Sequence, residues 1–244
     1  MSLQQNPIER CGSCMSTRET LSSVSARERI QTYWKRSTSL GARNETRVLL
    51  RMKGLIKMTK EERFKSIVSE KIHRSGIEKL MNWLEKSDFY TAPASTRFHG
   101  NYPGGLLEHS LNVYDELNRL IKVYPEIPVD EESLAIISLF HDLCKVNFYV
   151  TEKRNRKTAD GKWEQYDSYS INEKFCFGGH GSKSLFIAQS FLSLTPEEAV
   201  AINCHMGFSE EGNKYVGNAF EQYPLAWLLS VADQAAAFIL ERKD

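Results

Sequence analysis

Leu134-Ala135-Ile136-Ile137-Ser138-Leu139-Phe140-His141-Asp142-Leu143-Cys144-Lys145 carries an unbroken apolar run straight into an adjacent imidazole and carboxylate. The run predicts a helix over residues 131–145 that is buried on most of its faces. An imidazole and a carboxylate at the end of such a helix are costly unless something satisfies both, and a metal ion is the simplest candidate. This stretch sets two expectations: a helical core, and a polar centre at its edge.

The pattern stays helical on both sides. Phe64, Ile67, Val68 and Ile72, followed by Ile77, Leu80, Met81 and Leu84, recur at three- and four-residue spacings, which predicts helices over residues 61–73 and 77–86. A longer helix is expected over residues 106–123, after the turn Tyr102-Pro103-Gly104-Gly105 and before Pro125. Thr195-Pro196-Glu197-Glu198 offers a cap, a first-turn proline and a capping-box glutamate for a helix running through residues 199–206. A last helix is expected over residues 225–242. Strand-like composition at residues 147–151 and 163–166, joined by Ala159-Asp160-Gly161-Lys162, predicts one β-hairpin. Its arm Lys153-Arg154-Asn155-Arg156-Lys157 reads first as a solvated basic face. With Tyr149, Trp163 and Tyr166 nearby, gripping a phosphate backbone is the second reading.

The chain has 244 residues, 41% of them hydrophobic, and a net charge of +1, so no global field draws it to nucleic acid or membrane. The charge is unevenly spread. Residues 1–57 hold eleven Lys and Arg against four Glu, a surplus of seven positive charges, whereas residues 58–244 hold twenty-one against twenty-seven, a deficit of six. The first segment, with thirteen Ser or Thr, reads as a disordered extension to a globular domain over residues 58–244. It resembles a transit-like segment. It also reads as translated upstream sequence: Lys53-Gly54 is encodable by a purine-rich ribosome-binding sequence, and Met58 follows at a normal spacing. No apolar stretch approaches the roughly 20 residues that cross a bilayer, and no secretory signal is evident, so a cytoplasmic protein is expected. Cys11, Cys14, Cys144, Cys176 and Cys204 are an odd, scattered set that reads as reduced thiols.

Six histidines are present, and four sit where a core would surround them. His109 shares a helix face with Leu106, Val113, Leu117 and Leu120; His141 ends the apolar run; His180 enters an apolar helix after Gly178-Gly179; His205 ends the capped helix. Asp233 lies in Leu225-Ala226-Trp227-Leu228-Leu229-Ser230-Val231-Ala232 and Ala235-Ala236-Ala237-Phe238-Ile239-Leu240, apolar on almost every side, where a lone carboxylate must be paired, protonated or bound to a cation. Any one of these residues is more often a hydrogen-bonded core group than a ligand. All of them together point to a metal. His73 reads as structural.

The order His109, His141-Asp142, His180, His205, Asp233 resembles the HD-domain phosphohydrolase superfamily over about residues 97–240. Phe98-His99-Gly100 through Gly104-Gly105-Leu106-Leu107-Glu108-His109-Ser110-Leu111 looks most like the HD domain of certain bacterial 3′-to-5′ exoribonucleases. The resemblance implies an all-α helical bundle with the hairpin inserted. It implies that His109, His141, Asp142 and Asp233 hold one metal, and that Asp142 bridges to a second held by His180 and His205. No oligonucleotide-binding domain precedes the HD part, and the GYP signature of the cyclic-dinucleotide phosphodiesterases is missing.

Two divalent ions held by two carboxylates and neutral imidazoles leave a positive site suited to a phosphate, and they lower the pKa of a bound water from about 15.7 to about 7. Imidazole ligation favours Mn, Fe, Co, Ni or Zn over Mg alone. Lys145 is expected to assist Asp142 in catalysis by reaching a phosphate oxygen, and Arg97 and His99 are expected to bind substrate. The expected activity is metal-dependent hydrolysis of a phosphoester in a nucleotide or short single-stranded nucleic acid. The rival from another class is a non-catalytic, metal-dependent nucleotide sensor. The sequence leaves the oligomeric state open.

Overall fold

In the computed structural model, residues 58–172, 178–209 and 215–242 are described. The disordered reading of residues 1–57 lies outside them, as do Cys11, Cys14 and Cys176; Cys144 and Cys204 are buried. The described residues form eight α-helices: α1 (Lys60–Lys71), α2 (Ile77–Glu85), α3 (Gly105–Val123), α4 (Glu131–Phe140), α5 (His180–Gln189), α6 (Pro196–Cys204), α7 (Val216–Gln222) and α8 (Pro224–Ala235). One antiparallel hairpin, β1 (Tyr149–Lys157) and β2 (Trp163–Ile171), is inserted between α4 and α5. This is the expected all-α bundle with an inserted hairpin. No single helix among the described residues is long and apolar enough to cross a membrane.

Helix α4 is the central post. Asp130 caps it by accepting the Ser133 N–H at 2.8 Å. From Ser133 onward every residue is buried, with Leu134, Ile136, Ile137, Leu139 and Phe140 at 2% exposure or less. Buried aliphatic side chains of this kind stabilise by about 1.5–3 kcal/mol each. Around this post pack α1, α3 and α6, while α8 lies against α3, α6 and α7. Phe140 also meets Phe64, which tilts against Phe89. Two glycines permit close approaches near the future site. A Cβ on Gly105 would lie 1.9 Å from the Gly100 carbonyl oxygen, and one on Gly181 would lie 2.0 Å from that of Asn203, so only glycine lets α5 meet α6 there.

Three expectations are corrected. The helix predicted over 131–145 ends at Phe140, and Leu143–Lys145 form a separate 3-10 turn. The helix predicted over 225–242 becomes a π-turn at Ala236–Leu240. The strands are longer than composition suggested, pairing from Tyr149 with Ile171 to Lys157 with Trp163. The four cations of the hairpin arm belong to β1, and three of them are ion-paired. Lys153 lies 2.5 Å from Asp167, Arg156 pairs with Glu164, Arg154 pairs with Glu152, and Lys157 sits 5.7 Å above the Trp163 ring.

Candidate metal centre

The two helix breaks build the site. Successive residues of an α-helix diverge by about 100°, so His141 and Asp142 could not face one point from within α4. Asp142 leaves helical geometry (φ −108°, ψ 24°). His141 meanwhile donates its Nδ1 proton to the Ser138 carbonyl at 2.9 Å. The end of α6 repeats the device: His205, just past the last helical residue, donates Nδ1–H to the Ile202 carbonyl at 2.8 Å. A backbone carbonyl only accepts, so each neutral ring must carry its proton on Nδ1 and present the Nε2 lone pair inward.

These lone pairs converge on Asp142. His141 Nε2 lies 3.4 Å from Asp142 Oδ2, and His205 Nε2 lies 3.6 Å from Oδ1. From α3, His109 Nε2 lies 3.1 Å from Asp233 Oδ1, 3.2 Å from His141 Nε2 and 3.5 Å from Asp142 Oδ2. His109, His141 and Asp233 form one group, and His141, Asp142 and His205 another, with candidate ligand atoms inside 4.8 Å of one another. His109, His141 and His205 are each at most 1% exposed, and His205 Nε2 is buried with no hydrogen-bond partner. A buried acceptor without a donor, as His205 Nε2 is, is unfavourable unless a cation lies beside it. The donor set of imidazoles and carboxylates therefore fits a divalent transition metal.

The electrostatics agree. Burial pushes the Asp142 carboxyl up, but Lys145, His141 and His205 outweigh it and hold the carboxyl well below its usual range. Asp233 is also lowered, burial being overcome by His109 and the neighbouring imidazoles. Burial pulls His109 down, but its hydrogen bonds to Asp233 and Glu241 raise it to about 9. A cation at His109 Nε2 has to displace that proton.

Lys145 Nζ is buried, 2.6 Å from Asp142 Oδ2, and its pKa is raised because the attraction of Asp142 exceeds the cost of burial. His180 belongs to neither group. Its Nδ1 lies 3.4 Å from Cys144 Sγ, which is 3.9 Å from Asp142 Oδ1. Burial raises the Cys144 thiol to about 12, so it remains protonated at neutral pH. His99 stacks beside His109 with ring centroids 4.8 Å apart, and burial, with His109 and Lys145 adding to it, pulls its pKa to about 4. Arg97 is exposed two residues earlier.

Sequence reasoning missed Glu241 and Asn112. Glu241 Oε1 accepts from His109 Nδ1 at 3.0 Å and from Asn112 Nδ2 at 2.9 Å, a carboxylate that orients the ring whose Nε2 faces the centre. In an unbroken α-helix Glu241 would sit about 80° around from Asp233. The π-turn, closed by the Glu241 N–H to Ala236 carbonyl bond at 2.9 Å, restores the shared face. No 3.6-residue periodicity signals such a turn. Isothermal calorimetry with Zn²⁺ in buffers of different ionisation enthalpy should find about one proton released per ion at pH 7, below the His109 value. Glu241→Gln should weaken the affinity by about 10- to 100-fold. Unchanged affinity and no proton release would remove both His109 and Glu241 from the metal centre.

Comparison with known proteins identifies the family. The family model described as the HD domain matches residues 106–237, more than half of the chain and a span that includes His109, His141, Asp142, His180, His205 and Asp233. Arg97, His99 and Glu241 fall outside it. Over 84 residues the chain is 29% identical to the dihydroneopterin 2′,3′-cyclic phosphate phosphodiesterase of Methanocaldococcus jannaschii, covering 33% of this chain and 31% of that relative. The match thus spans about a third of the relative's length. No solved structure matches the chain significantly.

Proposed function

The chain belongs to the HD-domain family, and from that premise we propose that it is a metal-dependent phosphodiesterase acting on a small, nucleotide-type phosphoester. The observation that carries this reading is the convergence of His109, His141 and His205 on Asp142, with Asp233 against His109 and the Lys145 ammonium 2.6 Å from the Asp142 carboxylate. His109, His141, Asp142 and Asp233 would hold one divalent ion, and Asp142 and His205, joined by His180, a second. Such ions supply Lewis acidity and a nucleophile drawn from water at neutral pH.

The chain's own groups do the rest. Asp142 and Asp233 stay ionised, which keeps cations in place and fixes where the ester's phosphoryl group can sit. Lys145 stays charged and is close enough to Asp142 to turn from the carboxylate to a phosphoryl oxygen as negative charge develops. His99 is neutral at pH 7, so it can accept or donate a single hydrogen bond at the edge of the centre.

A small substrate is favoured over long nucleic acid. Residues 58–244 carry six more acidic than basic side chains, and three of the four basic side chains of the hairpin arm are ion-paired with neighbouring acids, leaving little free charge for a phosphate backbone. The relative named for a cyclic phosphate substrate points the same way. Purified protein with Mn²⁺ is expected to hydrolyse bis-p-nitrophenyl phosphate and at least one 2′,3′-cyclic mononucleotide, and EDTA is expected to abolish both activities. A protein that binds two ions yet turns over nothing in a panel of mono-, di- and triphosphate esters would be the sensor instead. Tight oligonucleotide binding that falls steeply with salt would favour an exonuclease.

A further inference from the structure

Beside the metal centre lies a cleft of about 420 Å³ lined by Arg97, Phe98, His99, Phe238, Glu241 and Arg242. Its size is that of a small-molecule site. It borders the centre through two residues: His99, whose ring packs on His109, and Glu241, which holds His109 Nδ1.

Its walls are unusual for a free surface. Phe98 is 75% exposed and Phe238 72% exposed, two large rings left in water at the rim of a charged centre. Neither exposure comes from a loose chain. The Ser95 hydroxyl accepts the Phe98 N–H at 2.8 Å and donates to the His99 carbonyl at 2.7 Å, and the Ala94 N–H binds the Gly100 carbonyl at 2.9 Å. Phe238 stands on the π-turn that delivers Glu241. Arg97 and Arg242 form no ion pair among the described residues, unlike Arg154 and Arg156 of the hairpin. At the floor, His99 Nε2 and Glu241 Oε2 are buried without hydrogen-bond partners. Aromatic faces, guanidinium groups and unsatisfied polar atoms at the base are together what a flat ring with a donor-bearing polar edge and an attached anion would satisfy.

We propose that this cleft binds the planar heteroaromatic ring of a nucleotide-type phosphoester, stacked on Phe98 and Phe238, so that the attached phosphate reaches the metal centre. The placement of the ester rests on the phosphodiesterase reading; the ring site rests on the cleft alone. His99 Nε2 and Glu241 Oε2 meet the polar edge of the ring, and Arg97 and Arg242 set positive charge around the anion.

The test titrates 2-aminopurine riboside 5′-monophosphate, whose fluorescence falls when its ring stacks, with the Zn²⁺-loaded full chain. Saturable quenching is expected, with ribose 5-phosphate competing poorly. Phe98→Ala and Phe238→Ala should each weaken binding by about 5- to 100-fold. Both rings are exposed, so the circular dichroism of the variants should match wild type. Absent quenching, or quenching undiminished in both variants, overturns the proposal. A sedimentation mass that drops from dimer to monomer in the variants also overturns it, by making the rings a subunit interface. Wild-type hydrolysis of bis-p-nitrophenyl phosphate, measured in parallel, reports on the phosphodiesterase reading separately: quenching without turnover upholds the ring site while removing that reading.

Discussion

Asp142→Ala is expected to lower phosphoester hydrolysis by about a thousandfold or more, to the background of the assay. Asp142 belongs to one candidate ligand group and borders the other, since Oδ2 faces His109, His141 and Lys145 while Oδ1 faces His205. Without it, three imidazole nitrogens and an ammonium crowd a buried space with Asp233 and, behind His109, Glu241 to balance them. Divalent ions contribute several kcal/mol of transition-state stabilisation, and each 1.36 kcal/mol is a factor of ten in rate. Asp142→Asn separates charge from shape: it keeps the size and one acceptor for Lys145 but removes the negative charge. It is expected to retain the fold by circular dichroism and still lose both metal affinity and activity. If Asp142→Ala bound metal and turned over substrate like wild type, the centre would have to lie elsewhere.

The second large effect concerns stability. Glu198→Ala is expected to destabilise the fold by about 3–5 kcal/mol, the range for removing one partner of a buried ion pair. Glu198 is fully buried; it pairs with Arg74, accepts the Ser133 hydroxyl at 2.7 Å and accepts the Thr195 N–H at 2.8 Å. One carboxylate thereby ties the segment between α1 and α2 to α4 and to the start of α6. At about 2–4 °C per kcal/mol for a domain of this size, the melting temperature should fall by about 6–20 °C. Glu61→Ala, which breaks the exposed pair with Lys65, should move it by no more than about 2 °C. Equal shifts in the two variants would show that Glu198 does nothing beyond capping its helix.

Glu198 also shows how far the sequence could be read. Thr195-Pro196-Glu197-Glu198 announced a capping box, and both of its hydrogen bonds form. The Arg74 and Ser133 contacts of the same carboxylate come from residues 124 and 65 positions away, beyond any local pattern. The candidate site divides similarly. His109, His141, Asp142, His205 and Asp233 stood out because each is a polar group in an apolar setting. Their convergence depends on chain breaks that the apolar pattern concealed. His180 also stood out, and its Nδ1 lies 3.4 Å from Cys144 Sγ.

By itself the sequence determined that the domain is helical, that one buried helix leads into a His-Asp pair, and that several costly polar groups must share a common partner. It could do so because hydrophobic periodicity is a local record of burial, and because desolvation penalises any polar residue within such a pattern. Only the tertiary structure decided where α4 and α6 stop, how the π-turn swings Glu241 onto His109, and that three of the four cations of the hairpin arm are ion-paired. Each of these depends on a hydrogen bond or charge pair whose worth appears only once the partners are packed together and dry, and no spacing in one dimension records that.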